Sequence, residues 1–206
     1  MGVVEATLRN IEIAARIVRS GGLVVYPTDT VYGLGCDPFN VDAVKKLIRV
    51  KGLRNKPLPV LSSSVESIQR VAEVSDIARR IGERFWPGPL TLVLPKRHLH
   101  DVVTFGSATV GVRIPNHEVA LELIRLSGGL LVGTSANKTG LPPPTTAAEA
   151  SGQMKGKVDV ILDGGKTQLG VSSTVLDLSG EKPKIMRRGP LEDQLEALEM
   201  CLRGLD

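Results

Sequence analysis

Short apolar runs alternate with amphipathic stretches along this chain, and that alternation predicts an α/β fold. Apolar runs bounded by Gly, Pro or polar residues predict strands at 23–26, 31–35, 58–61, 90–94, 110–114, 130–132, 158–162, 174–178 and 184–186. Apolar residues at helical spacing predict helices at 5–20, 40–50, 63–72, 75–86, 117–126, 146–152 and 191–203. Because some strands are joined too closely for a helical crossover, we expect one domain over residues 1–206, with an open, twisted, mixed and partly antiparallel sheet flanked by helices.

Polar residues mark where several of these elements begin or stop. Asn40 and Ser75 can each cap a helix, and Ser63 with Glu66 has the spacing of a capping box. The segment 96–108 shows no clear period, and the segment 138–146 contains three consecutive prolines. Both segments are therefore predicted to be loops, and the second is a candidate lid over a ligand site.

The stretch 26–35 places polar side chains directly after a buried apolar run. A proline ends that run, and Thr28, Asp29, Thr30 and Tyr32 follow within a few residues. Open α/β sheets keep their ligands at such strand ends. The glycines that follow allow close approach of the backbone to a ligand, although a tight hairpin explains them equally well.

Other predicted strands also end in polar groups. Arg113 alternates with apolar neighbours, so its guanidinium must either reach solvent or be paired, and a ligand carboxylate is a natural partner. Small hydroxyl, amide or basic side chains occur at three further strand boundaries: 134–137, 172–174 and 187–189. Each group alone is typical of a turn, but several together indicate a polar cleft.

A basic cluster lies at residues 45–56, where six of twelve side chains are basic and none is acidic. Those on the predicted helix are explained by its solvent-exposed face. Lys51, Arg54 and Lys56 instead fall where the helix gives way to a Gly-containing loop, and they can converge on a phosphate.

Composition restricts the function further. The net charge of +4 is compatible with a nucleotide or a nucleic acid as ligand. Two cysteines, Cys36 and Cys201, are too few for a disulfide framework or a zinc site, and no metal-binding cluster or catalytic Ser-His-Asp arrangement is visible. No apolar run approaches the ~20 residues of a membrane span and no signal peptide is seen, so we expect a cytoplasmic protein without membrane contact. The cleft therefore suits positioning and charge stabilisation at a phosphorus centre.

In their order along the chain, these motifs resemble those of the YrdC-type threonylcarbamoyl-AMP synthases in their short, single-domain form. The matching segments are 27–35, 51–58, 112–115, 135–137, 172–175 and 187–189. Two departures stand out: the arginine of the basic loop, Arg54, comes one place later than in the family, and Pro143 occupies a position where the family has a hydroxyl.

The resemblance implies a YrdC-like fold with a basic concave cleft and a specific reaction. L-threonine and bicarbonate would combine and attack ATP, which is accompanied by Mg²⁺, to give threonylcarbamoyl-AMP and pyrophosphate. The product would pass to a downstream tRNA threonylcarbamoyl transferase. The resemblance assigns threonine binding to Thr30, Arg113, Ser135 and Ser173. It assigns ATP binding to Lys51, Arg54, Lys56, Asn137, Thr145 and Arg187, with Lys51 and Arg54 also catalytic.

Two other functions remain open at this stage. The mild positive charge and the 45–56 cluster are also compatible with a non-catalytic protein that binds tRNA or double-stranded RNA, although aromatic residues for base stacking are scarce at 3%. Carbamoyl transfer in metal-centre maturation is disfavoured, because related domains with that role lie in longer chains with zinc-finger-like cysteines.

Overall fold

The computed structural model describes residues 2–52, 56–191 and 194. The strands are β1 (Val3–Glu5), β2 (Val24–Tyr26), β3 (Gly33–Gly35), β4 (Val60–Ser62), β5 (Leu90–Pro95), β6 (Thr109–Arg113), β7 (Leu130–Val132), β8 (Thr134–Ser135), β9 (Val160–Asp163), β10 (Thr174–Asp177) and β11 (Lys184–Arg187). The helices are α1 (Leu8–Arg19), α2 (Val41–Lys51), α3 (Val65–Ile68), α4 (Asp76–Phe85), α5 (Asp101–Thr104), α6 (Glu118–Leu126) and α7 (Ala147–Met154).

The strands form two mixed sheets. One has the order β1-β9-β2-β3-β8 and the other has the order β11-β10-β5-β6-β4-β7. Both contain parallel and antiparallel pairs: β2 is parallel to β9 but antiparallel to β3, and β5 is parallel to β10 but antiparallel to β6. The mixed α/β character predicted from the sequence is confirmed, whereas the prediction of one sheet is wrong.

At Gly133 the chain passes from the second sheet to the first with no connecting segment. β7 pairs with β4 in the second sheet, and β8, one residue later, pairs with β3 in the first. The Gly133 N–H donates to the carbonyl of Pro59 at 2.9 Å. A Cβ at this position would lie 2.2 Å from Cγ of Leu61, so a glycine permits the close crossing.

Aliphatic side chains from both sheets fill the core. A large cluster includes Leu34 of the first sheet and Leu92 of the second, and a smaller cluster packs α1 and α6 beside β2 and β9. The apolar stripe of α1, Ile11, Ala14 and Val18, is buried there. That packing follows from the helical spacing of these residues.

Several local predictions need correction or addition. Asn40 and Ser75 cap α2 and α4 as predicted, but α3 is capped by Ser64 and not by Ser63. Val3–Glu5 forms a strand beside β9, so the first helix starts at residue 8 and not at 5.

Other local predictions concern loops and the end of the chain. The segment 96–108 includes the short helix α5, and the segment 138–146 is irregular as predicted. The closing helix predicted at 191–203 lies almost entirely outside the described residues. Among the helices that are described, none has the length and apolar character needed to cross a membrane.

Candidate functional site

A cavity of about 590 Å³ lies between the two sheets. Its floor is one face of the second sheet, to which β5, β6 and the stretch 173–177, which contains β10, contribute every second residue. These floor residues are Thr91, Val93, Thr109, Gly111, Arg113, Ser173, Val175 and Asp177. The alternation of side chains along a strand therefore brings hydroxyl, guanidinium and carboxylate groups to one surface.

The opposite wall comes from the segment after β2 and from β3 and β8. Thr28, Thr30, Ser135 and Asn137 line it, and Lys51 reaches it from the end of α2. Thr28 and Thr30 are each only 2–3% exposed, so they present hydroxyl groups from the interior. This wall is the polar strand end that the sequence pattern predicted.

Arg113 crosses from the floor to the opposite wall. Its Nε donates to the Gly88 carbonyl at 2.8 Å and its Nη1 donates to Oγ1 of Thr30 at 2.9 Å. Its Nη2 donates to Oδ1 of Asp29 at 2.5 Å. An arginine carries five N–H groups. Three of them are thus used within the described residues, and the pocket-lining side chain retains two for a ligand.

The hydroxyl of Thr30 is oriented by its neighbours. Oγ1 of Thr28 donates to the Val31 carbonyl at 2.6 Å and accepts from the N–H groups of Thr30 and Val31, each at 3.2 Å. Because the Thr28 hydrogen is used by the carbonyl, Thr28 does not donate to the Thr30 hydroxyl, which lies 3.0 Å away. Thr30 therefore accepts from Arg113 and offers its own hydrogen to Thr28 or to a ligand.

Lys51 is a buried cation with uncharged partners. Its Nζ lies 2.6 Å from the Ser135 carbonyl and 3.0 Å from the Asn137 carbonyl, and 3.3 Å from the side-chain oxygens of the same two residues. Burial lowers the pKa of Lys51 to about 8. Since no carboxylate appears among these partners, its charge remains available to an anionic ligand.

Gly52 ends α2 and allows Lys51 this position. It has a left-handed backbone with φ of 68° and donates to the Ile48 and Arg49 carbonyls, which closes the helix. Glycine adopts that conformation without strain. The carbonyl of Lys51 in turn accepts from both the N–H and the hydroxyl of Thr139. The helix end and the start of the 138–146 loop are thereby joined next to the cavity.

Ser173 links the floor to β11. Its Oγ lies 2.8 Å from Oγ1 of Thr91, and Arg187 donates to its carbonyl and its Oγ at 2.9 and 3.1 Å. Arg187 is partly exposed at the cavity. Partial burial and then the positive charge of Arg113 lower the pKa of Arg187 from its usual value. Two arginines thus influence each other electrostatically across the floor, an arrangement that favours an anionic ligand.

The structure brings together most of the residues predicted for the site. Those that line the cavity are Thr30, Lys51, Lys56, Arg113, Ser135, Asn137, Ser173 and Arg187. Arg54 lies outside the described residues. Thr145 is not part of the lining; its N–H and hydroxyl donate to Glu149 at 2.7 and 3.1 Å. Its role in ATP binding therefore stays a prediction.

Sequence reasoning missed several lining residues and one ion pair. Thr91, Thr109 and Asp177 lie on strand faces where a polar residue normally indicates exposure to solvent, and alternation with apolar neighbours was their only signal. The partner of Arg113 was left open by the sequence, and it is Asp29. Because that pair neutralises one of the four basic side chains that line the cavity in the described part of the chain, the basic character of the cleft stays a prediction.

Comparison with known proteins shows which family shares this arrangement. A family model for Sua5, YciO and YrdC proteins, described as telomere recombination, matches residues 16–189. The threonylcarbamoyl-AMP synthases of Pyrococcus abyssi and Bacillus subtilis are 45% and 40% identical to the chain over 188 and 190 residues. These matches cover 89% and 90% of this chain but 55% of each relative. The chain therefore spans about half the length of those curated relatives.

A shorter relative and two solved structures extend the comparison. The threonylcarbamoyl-AMP synthase of Thiobacillus denitrificans is 39% identical over 168 residues, which cover 80% of this chain and 89% of the relative. The structure of Pyrococcus abyssi Sua5 complexed with L-threonine matches with a TM-score of 0.91 and 42% identity, covering 98% of this chain and 60% of that one. Escherichia coli YciO matches with a TM-score of 0.81 and 26% identity, covering 90% and 93%.

Proposed function

The chain belongs to the Sua5/YciO/YrdC family, and on that basis we propose that it synthesises threonylcarbamoyl-AMP from L-threonine, bicarbonate and ATP, with release of pyrophosphate. The observation that carries the proposal is the convergence of Thr30, Arg113 and Lys51 on one cavity. Curated relatives named as this synthase, and a related structure that holds L-threonine, support the choice of substrates.

The amino acid would occupy the Arg113 end of the cavity. The two unused N–H groups of Arg113 suit a carboxylate, which accepts such paired hydrogen bonds strongly. The Thr30 hydroxyl can donate to the same ligand, and Ser135 and Ser173 supply further polar groups. These side chains would hold threonine while its amine adds to the carbon of bicarbonate. A C–N bond forms as water is lost, which gives the carbamate.

The triphosphate would lie against the basic side chains. Lys51, Lys56 and Arg187 line the cavity, and Asn137 lies beside Lys51. We include Arg54 and Thr145 in the ATP site as sequence predictions. A carbamate oxygen would form a bond to the α-phosphorus as the bond to pyrophosphate breaks, and the cations would stabilise the charge on the departing oxygens. The protein contributes positioning and electrostatics and forms no covalent bond to the substrate.

We also propose that Mg²⁺ accompanies the ATP. Among the described lining residues the one carboxylate is Asp177, whose Oδ1 already accepts from the N–H and hydroxyl of Ser179. That donor set fits a metal ion held mainly by substrate phosphates, as is usual for Mg²⁺. When bound, the ion would offset the negative charge of the phosphates.

The test measures pyrophosphate release with L-threonine and bicarbonate each present or omitted. We expect release that requires both co-substrates, and a loss of at least a hundredfold in Lys51→Ala and Arg113→Ala protein. Release that ignores either co-substrate would contradict the proposal. Glu122→Gln provides a control, because Glu122 forms a surface ion pair with Arg125 and neither residue lines the cavity.

We propose that the product is used for threonylcarbamoyladenosine modification of tRNA, through a downstream tRNA threonylcarbamoyl transferase in the cytoplasm. A mixed anhydride of a carbamate and AMP is a reactive group donor, so a transfer enzyme must follow. The alternative from the sequence, a non-catalytic protein that binds tRNA or double-stranded RNA in the cavity, has less support, because the curated relatives are named as the synthase. It predicts salt-sensitive RNA affinity that persists in Thr30→Val and Ser173→Ala protein.

A further inference from the structure

Arg113 is fixed from behind the cavity, and Asp29 supplies the charge that fixes it. Asp29 does not line the cavity. Its Oδ1 accepts from Nη2 of Arg113 and, at 3.1 Å, from the backbone N–H of Asn116. The two charged side chains are only 6% and 2% exposed. We propose that Asp29 is a positioning residue, whose carboxylate holds Arg113 so that its unused N–H groups face the substrate carboxylate.

The negative charge of Asp29 lies close to a cavity that is proposed to bind anions, and this placement has a physical reason. A guanidinium buried to this degree needs a partner, because its desolvation is costly when no anion is nearby. A long side chain also loses rotamer freedom when it binds a ligand. With Asp29 in place, Arg113 is paired and ordered before threonine arrives, and such preorganisation increases affinity.

Asp29 is itself held from two directions. The N–H of Asn116, which follows β6, reaches its side chain, and the N–H of Leu169 donates to its backbone carbonyl at 3.0 Å. Oδ1 of the carboxylate is therefore fixed relative to the strand that carries Arg113, whereas the buried Oδ2 has no hydrogen-bond partner among the described residues. His117 is another titratable group close to Asp29, and burial lowers its pKa although Asp29 and Glu118 oppose that shift. His117 is thus neutral near pH 7, so it does not compete with Arg113 for the negative charge of Asp29.

The inference rests on the proposed function, and steady-state kinetics with Asp29→Asn and Asp29→Glu test it. Asparagine keeps the shape of the Asp29 side chain and removes its negative charge. We expect Asp29→Asn to raise the KM for threonine at least tenfold while the KM for ATP changes by less than twofold. Asp29→Glu retains the charge and should restore part of the threonine affinity. Asp159→Asn is the matched control, since Asp159 also pairs with a cation, Lys46, but lies outside the cavity lining.

The sign of the effect decides between two roles for Asp29. If Asp29 only opposed the anionic substrate electrostatically, Asp29→Asn would lower the KM for threonine. A lower or unchanged KM for threonine overturns the inference, and so does an equal rise of both KM values. Wild-type protein without threonine-dependent activity would instead refute the proposed function.

A measurement on wild-type protein covers the case in which Asp29→Asn does not fold. ¹⁵N NMR of the ligand-free protein reports how fast guanidinium N–H groups exchange with water, and Arg113→Lys identifies the Arg113 signals by their loss. We expect slow exchange at Arg113 and fast exchange at Arg125, whose side chain is 63% exposed. Equal exchange at the two arginines would overturn the inference, whatever the protein catalyses.

Discussion

The charge of Lys51 predicts a pH dependence of nucleotide binding that can be worked out from its surroundings. Burial lowers the pKa of Lys51 to about 8, from an ordinary value near 10.5. The ligand-free protein therefore carries a protonated Lys51 in about 90% of molecules at pH 7 and about 10% at pH 9. Because loss of the proton removes the positive charge, affinity for a polyphosphate falls as pH rises.

The expected magnitude is a tenfold weakening. A bound polyphosphate raises the pKa of the lysine, so the nucleotide complex keeps the proton across this range. The ratio of protonated fractions then gives an increase in Kd of about tenfold between pH 7 and pH 9. Calorimetric titration with a non-hydrolysable ATP analogue measures Kd directly, without contributions from the amine of threonine or from bicarbonate.

Lys51→Arg supplies the control, because arginine stays protonated throughout this range. Its Kd is expected to be higher at pH 7, since the guanidinium cannot reproduce the contacts of Nζ with Ser135 and Asn137. The change in its Kd with pH reports the titration of the nucleotide and of other groups. If wild type and Lys51→Arg show the same pH dependence, the reasoning about a buried, carboxylate-free lysine is refuted.

Three substitutions test other parts of the account. Gly133→Ala places a Cβ 2.2 Å from Cγ of Leu61 and should lower the free energy of unfolding by about 1–3 kcal/mol. Gly152→Ala, in open space on α7, should not lower it, so equal denaturation midpoints for the two variants would contradict the crossing geometry. Ser173→Ala removes the hydroxyl that contacts Thr91 and Arg187, and we expect a rise of about tenfold in the KM for threonine in initial-rate assays. An unchanged KM would show that Ser173 does not contribute to threonine binding. Thr145→Val tests the predicted contact of Thr145 with ATP: loss of one hydrogen bond of about 1 kcal/mol corresponds to a rise of roughly fivefold in the KM for ATP. An unchanged KM would mean that the Thr145 hydroxyl bonds only to Glu149.

Helices and strands in which apolar residues recur at a clear period were predictable from the sequence. The arrangement of the strands into sheets was not. The helices α2 and α4 begin at the predicted caps because capping is a local interaction. β8 has only two residues, and β1 pairs with a strand more than 150 positions away. Such non-local pairings leave no periodic signal in a short segment. The division into two sheets at Gly133 therefore required the structure.

The candidate site was predictable to the extent that its residues lie in motifs. The resemblance to a known family identified eight of the described lining residues, and the polar strand end at 26–35 also indicated Thr28. Thr91 and Asp177 belong to no such motif and resemble ordinary half-buried strand positions. The contact between Asp29 and Arg113 joins residues 84 positions apart. No local pattern could reveal that contact, although the sequence did indicate that a buried Arg113 needs a partner.

The proposed reaction joins the nitrogen of threonine, the carbon of bicarbonate and the phosphorus of ATP in one product. Mass spectrometry after incubation with ¹⁵N-threonine, ¹³C-bicarbonate and ATP detects that product. We expect an adenylate that carries both labels and is lost in Arg113→Ala protein. An adenylate with ¹⁵N but no ¹³C would indicate activation of the threonine carboxyl group instead. That product, or AMP and ADP alone, would contradict the account.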